Sequence, residues 1–229
     1  MESQFLRTEM LLGKENMEKL ARSHVAVFGL GGVGGYAAEA LARSGIGFLD
    51  LIDHDQVTIT NLNRQLIALH STLGRDKVTV MKERILDINP EAQVNAYPCF
   101  YLPETGDRFD FSQYSYVVDC VDTVTAKLLL IEKAKEAGVP IISSMGTAKR
   151  TDPSKLAVSD IYESYGDGLS RVMRREARKR GITSLKVVWS KEPPVRKDVL
   201  GSTPFVPPAA GLLLASEVVR DLCRQEAGL

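Results

Sequence analysis

The sequence predicts an α/β fold built on a doubly wound, mainly parallel sheet, with an antiparallel C-terminal extension. Three observations predict it. Within residues 24–55 a short apolar strand, a glycine-rich turn (GLGGVG), a helix and a second apolar strand follow one another, and the second strand ends on an acid. Further apolar runs at 93–98, 116–121 and 139–144 alternate with helical stripes, the pattern of buried parallel strands joined by crossover helices. In the last third the pattern changes: KLAVSDI at 155–161 alternates, and a second short strand follows at 185–189. Together these describe a Rossmann-like sheet with an appended hairpin-like edge.

Composition bounds what such a chain can be. With 229 residues, 44% apolar and 25% charged, it can bury a sizeable core as one large α/β domain. We divide it into an N-terminal arm (1–22), a nucleotide-binding core (23–150) and a C-terminal extension (151–229) with a basic helix and a mobile loop. Lys and Arg number 29 and Asp and Glu 29, so net charge excludes a global attraction to polyanions, and any nucleic-acid contact must come from a local patch. The cysteines, Cys99, Cys120 and Cys223, are far apart and form no CxxC pair, which excludes a structural zinc knuckle and fits a reducing compartment. No signal-peptide pattern opens the chain, and the apolar stretch 209–219 is short and carries Glu217, so a cytoplasmic location and no membrane partner are expected.

Taken in order, Phe5, Met10, Leu11 and Leu12 form an apolar arm that includes Arg7, Gly13 interrupts it, and Met17, Leu20 and Ala21 mark a short helix. The strand at 25–28 runs into Gly29, Gly31, Gly32 and Gly34, whose small size lets the backbone approach phosphates at a helix N-terminus. Gly45 stops that helix, and the next strand delivers Asp53, placed to accept a ribose hydroxyl. A polar insertion follows, with Asp55, then Asn61, Asn63, Arg64 and Gln65 beyond the strand's C-terminal end, where open α/β sheets bind ligands. A helix over 74–89 places Lys77 in its first turn, where the dipole disfavours a cation unless an anion is bound. The fourth strand ends towards Asp122, a carboxylate at the cleft rather than in the core, whereas Asp119 within the strand reads as locally hydrogen-bonded. The helix at 168–180 carries Arg171, Arg174, Arg175 and Arg178 at offsets 0, 3, 4 and 7, hence on one face, with Lys179 and Arg180 beside them. That face serves equally as a solvated surface or a phosphate-binding one. Residues 190–208 read as an irregular loop and 212–222 as a closing helix.

Two nucleotides compete for this site. A nicotinamide dinucleotide needs the glycine turn and Asp53 and leaves Arg64, Lys77 and Asp122 without a task. ATP carries about four negative charges and usually one Mg²⁺, so it needs additional cations and a metal-facing carboxylate. Arg64, Lys77 and Asp122 meet that need, and ATP with Mg²⁺ is the better fit.

The segments GLGGVG, LIDHDQVTITNLNRQ, GRDKV and VVDCVDT, with FLRTEMLLG near the start and GSTPFVPPAAGLLLASEVVRDL near the end, resemble the ThiF/MoeB/HesA family, relatives of the ubiquitin-activating enzymes. The resemblance implies a homodimeric, ATP-dependent adenylating enzyme. It places Asp53 on the ribose, Asn61, Arg64, Gln65 and Lys77 on the phosphates and Asp122 on Mg²⁺, and it has Arg7 reach across the dimer into the neighbouring site. The chain lacks the CxxC pairs of many sulfur-carrier-activating members and has no cysteine in 180–200 for a thioester. The stretch 144–161 resembles instead the members that dehydrate threonylcarbamoyladenosine in tRNA beside the anticodon. On that resemblance tRNA is the partner and the basic helix its support. The alternative is adenylation of the C-terminal glycine of a ubiquitin-like sulfur carrier, with a cysteine-desulfurase or sulfur-acceptor system as a further partner.

Overall fold

The computed structural model describes residues 3–106, 108–196 and 198–224. Its centre is a seven-stranded sheet: β1 (His24–Phe28), β2 (Phe48–Ile52), β3 (Gln93–Tyr97), β4 (Tyr116–Asp119), β5 (Ile141–Ser144), β6 (Leu156–Asp160) and β7 (Lys186–Ser190), in the spatial order β3-β2-β1-β4-β5-β7-β6. All neighbours are parallel except β6, which runs antiparallel to β7 at the edge. The winding reverses between β1 and β4, so a crevice opens beyond the C-terminal ends of those two strands.

Period-two alternation distributes the core. Val25 and Val27 face the layer of α2 (Lys14–Arg22), α3 (Gly34–Arg43), α4 (Lys77–Ile88) and α8 (Val206–Cys223). Ala26 and Phe28 face an aromatic cluster of Tyr101, Phe109, Phe111 and Tyr114 under α6 (Val124–Glu136). A third cluster packs α7 (Gly168–Lys179) against β7 through Met173, Ala177, Val187 and Trp189. α3 is rich in Gly and Ala, and this lets α8 come very close: a Cβ on Gly211 would lie 2.2 Å from the Val33 carbonyl oxygen.

The predicted elements are present, with shifted ends. The arm contains two helices, α1 (Leu6–Leu12) and α2, separated at Gly13. α4 begins at Lys77 rather than 74, because Gly74 takes a left-handed φ of 77° that ends the preceding turn. α5 (Pro103–Gly106) lies between β3 and β4. α8 starts at Val206, six residues ahead of the predicted position; Pro207 and Pro208 fall in its first turn, where no backbone donor is needed. β4 ends at Asp119, so Cys120 and Asp122 belong to the following loop and not to a strand.

One buried ion pair fixes that loop. Lys127 and Asp119 are fully buried, and Lys127 Nζ donates to Asp119 Oδ2 at 2.9 Å, Ser143 Oγ at 3.1 Å and the Ser144 carbonyl at 2.7 Å. Asp119 also accepts from the Ser143 hydroxyl and, at 3.2 Å, from the Val121 N–H. All three ammonium protons are thereby used, which is the condition for a charge to survive in a core. The network joins the C-terminal ends of β4 and β5 to α6, and the loops leaving those ends line the crevice.

Candidate nucleotide-binding site

A cleft of about 510 Å³ occupies the crevice, lined by Gly29, Gly31, Gly32, Asp53, Asp55, Asn61, Arg64, Gln65, Lys77 and Asp122 among others. The structure thus gathers residues from three loops and the first turn of α4 that the sequence reading assigned to one ligand. Gly29 has φ 88°, and a Cβ there would sit 2.8 Å from the Cys120 carbonyl oxygen. A Cβ on Gly34 would meet the Gly29 carbonyl at 1.7 Å. Gly34 therefore shapes the turn from behind and does not itself line the cleft, a correction to its expected role in direct contact.

The polar side chains are held by one another. Asp53 accepts the Leu30 N–H at 2.6 Å and the Asp55 N–H at 2.8 Å, tying the end of β2 to the glycine turn, and further lone pairs remain for a ribose hydroxyl. Lys77, 3% exposed, donates to Asp55 Oδ2 at 2.7 Å and stands 4.0 Å from Asp53 Oδ2. Burial pushes the Asp55 carboxyl up, but the Lys77 hydrogen bond and the charges of Lys77 and His54 outweigh it, and its pKa falls below the usual carboxylate value. Asn61 Oδ1 accepts the Thr58 N–H at 3.1 Å, so Asn61 also closes the turn that presents it. Arg64 Nη1 donates to the Thr60 carbonyl at 3.0 Å and Asn63 Oδ1 at 2.8 Å, leaving the rest of its fork for an anion. Gln65 is buried, and its Oε1 has no partner.

Asp122 is exposed at the cleft and takes no ion pair or hydrogen bond among the described residues, which suits a carboxylate kept for Mg²⁺. The other acidic cluster, Asp53, His54 and Asp55, has ligand atoms within 4.8 Å of one another, but Asp53 and Asp55 are already engaged by the Leu30 N–H and Lys77. Cys120 lies against the glycine turn, and burial pushes its thiol pKa far up.

Two cleft residues escaped the sequence reading. The rings of His54 and Phe100 stand 4.1 Å apart at 52°, and both line the cleft. Aromatic character beside the acidic strand end was the available signal. Two other groups lie outside the cleft. Arg7 is exposed on α1. On α7, Arg171, Arg175, Arg178 and Lys179 are exposed, but Arg174 is half-buried and donates to the Ser164 carbonyl and hydroxyl, both at 2.7 Å. Arg174 is thus committed to the fold, contrary to its expected place in the phosphate-binding face. Lys179, Arg180 and Arg175 also gather on Glu176 and pull its carboxyl down to about 2, which neutralises part of the patch. Arg178 lies 4.9 Å over the Tyr162 ring.

Residues 5–227 match the ThiF family. A Bacillus subtilis (strain 168) protein named tRNA threonylcarbamoyladenosine dehydratase is 44% identical over 241 residues, covering 96% of this chain and 95% of the relative. An Escherichia coli (strain K12) protein of the same name is 39% identical over 171 residues, covering 75% of this chain and 64% of the relative. Among solved structures, E. coli tRNA N6-threonylcarbamoyladenosine dehydratase, TcdA, in complex with AMP superposes with a TM-score of 0.91 at 33% identity, covering 96% of this chain and 93% of that one. The same protein in complex with ATP gives 0.90 at 33% identity, with the same coverage.

If Lys77 serves the phosphates, Lys77→Met weakens ATP binding about tenfold to a hundredfold, the order of one charged hydrogen bond, roughly 1.5–3 kcal/mol. Calorimetric titration with ATP measures it, and an unchanged Kd would leave Lys77 as a structural partner of Asp55 only.

Proposed function

Because this chain belongs to the ThiF family, we propose that it is an ATP-dependent adenylating enzyme that dehydrates threonylcarbamoyladenosine in tRNA beside the anticodon. The observation that carries this reading is the cleft itself. Arg64, Lys77 and a free Asp122 converge on a glycine turn, and the near full-length similarity to the B. subtilis dehydratase points to the acceptor.

The reaction needs no protein nucleophile. An oxygen of the threonyl carboxylate bonds to the α-phosphorus of ATP, the α-phosphorus to bridging-oxygen bond breaks, and pyrophosphate leaves. A nucleophilic atom of the same threonylcarbamoyl group then bonds to the activated carbonyl carbon and loses its proton to solvent. The carbon–oxygen bond to AMP breaks and the ring closes. Arg64 and Lys77 offset charge on the phosphates, the N–H groups of the turn hold them, and Gln65 offers its amide. Asp122 would hold a Mg²⁺, which would supply further charge neutralisation on the phosphates. Burial raises the thiol pKa of Cys99, Cys120 and Cys223, which argues against a thiolate intermediate on this chain.

The enzyme acts as a homodimer in this proposal. Met10 and Leu11 on α1 are 77% and 84% exposed, and Ile59, Leu69, Phe205 and Leu212 add further bare apolar surface. Arg7 shares the exposed arm and reaches the neighbouring site. No helix among the described residues is long and apolar enough to cross a membrane. We place the enzyme in the cytosol with its tRNA.

Three outcomes are expected. With ¹⁸O in the threonyl carboxylate, label appears in AMP and the digested nucleosides show the cyclised product. Unchanged threonylcarbamoyladenosine would sink the reading. Arg7→Ala and Lys77→Met, each inactive alone, recover part of the activity when mixed, because one site of the mixed dimer is intact; no recovery would place Arg7 outside catalysis. Replacing Arg171, Arg175 and Arg178 with alanine lowers the slope of log affinity for tRNA against log salt by about 0.7–0.9 for each phosphate that α7 no longer neutralises. An unchanged slope would return α7 to an ordinary solvated face.

A further inference from the structure

A second cavity, of about 240 Å³, adjoins the nucleotide cleft and shares Gly201 and Ser202 with it. One wall is Arg150. This arginine is 3% exposed, yet no carboxylate pairs with it among the described residues. Its Nη2 donates to the Gly166 carbonyl at 3.1 Å, and its Nε has no acceptor. Arginines are almost never buried without an anionic or hydrogen-bonding complement, because an uncompensated buried charge is costly. The acids nearby are engaged elsewhere. Asp167 accepts from the Gly146 N–H at 3.2 Å and the Ser170 N–H at 2.8 Å, while Glu192 accepts from the N–H groups of Thr151 and Asp152, both at 2.9 Å. A second polar atom in the lining, Thr203 Oγ1, is likewise buried without a partner. Val195 and Val199 supply apolar surface.

The walls are preformed. Lys149, at φ 65°, donates its N–H to the Gly201 carbonyl at 2.9 Å, and the Val195 N–H donates to the Lys149 carbonyl at 2.9 Å. Asn63 Nδ2 donates to the Ser202 carbonyl at 3.0 Å, which links the pocket rim to the segment bearing Arg64. The lining therefore offers a cation, a hydroxyl and a small apolar surface together, beside the cleft that holds the nucleotide in the proposed reaction.

We propose that this pocket is the acceptor subsite and takes the threonyl end of the substrate: the carboxylate against Arg150, the β-hydroxyl against Thr203 and the methyl group against Val195 and Val199. The inference rests on the proposed function and assigns the part of the site that recognises the group to be activated. Arg64 and Lys77 answer to the phosphates of ATP, so a separate cation is needed to hold the attacking carboxylate. A guanidinium can bind one carboxylate oxygen and leave lone pairs on the other for attack. A buried hydroxyl that needs a partner also selects for a hydroxylated side chain.

The test compares equilibrium binding of threonylcarbamoylated and unmodified tRNA of the same sequence at fixed salt, alongside turnover. Wild type is expected to prefer the modified tRNA. Arg150→Gln and Val199→Trp, the second blocking the pocket while leaving Arg150 in place, should each erase at least tenfold of that preference and raise KM for modified tRNA by at least tenfold. Affinity for unmodified tRNA and for ATP should stay within twofold. Should Arg150→Gln fail to fold, Val199→Trp, at a position 43% exposed, decides alone. A preference retained in the folded variants overturns the subsite while the proposed activity stands. A wild type that neither prefers nor converts modified tRNA overturns the functional reading, and the subsite with it.

Discussion

The cleft depends on a contact between two stretches of backbone. Gly29, at the end of β1, lies so near the Cys120 carbonyl that any side chain would collide with it, and Gly34 presses equally close on Gly29. The two strands between which the winding reverses are thereby brought together at their C-terminal ends, and the helix N-terminus of α3 opens onto the gap between them. The contact holds only if the loop after β4 stays in place, and the buried Lys127–Asp119 pair holds it from below through the Val121 N–H. The glycine turn, Asp122 and the floor of the cleft are parts of one constrained unit.

Electrostatics in the cleft are arranged around pairs rather than free charges. Lys77 is bound to Asp55 and close to Asp53, so the cation lining the cleft is already desolvated, paired and held in position. The same pairing links the site to pH. The Asp55 pKa is lowered in the fold, so its contribution to stability is complete above the unfolded value of about 3.9 and is lost as pH falls through the lower folded value. The acid limb of stability and the charge state of the nucleotide site are therefore coupled through one carboxylate.

Residues whose place at the cleft follows from local spacing could be read directly from the sequence: Gly29, Gly31 and Gly32 in the turn, Asp53 at a strand end, Lys77 at a helix start, and Asn61 with Arg64 and Gln65 in one polar insertion. Periodicity likewise carried the sheet, because alternation along β1 divides the core between its two faces. What escaped depends on partners distant in sequence. Arg174 has the spacing of its exposed neighbours, but Ser164 claims it. Arg150 looks like any charged loop residue until Val195, Val199 and Thr203 come to line the same cavity. His54 and Phe100 come from different strand ends and become a pair only when β2 and β3 align. Element ends moved for local reasons that a stripe of apolar residues does not record, such as the left-handed Gly74 and the prolines opening α8.

The close seat of α8 against α3 bears on how the protein is made. Pro207 stands against Gly32, where a Cβ would be 3.2 Å from it, and Gly211 touches the backbone at Val33. The outer wall of a site whose turn comes early in the chain is thus supplied by a helix that follows β7. A nascent chain carries the turn before it carries this wall. The closing contacts are among the longest-range in the fold, which makes site assembly a late step in its folding. A chain cut short of α8 keeps the central strands and the glycine turn but lacks Pro207 against Gly32 and Gly211 against Val33.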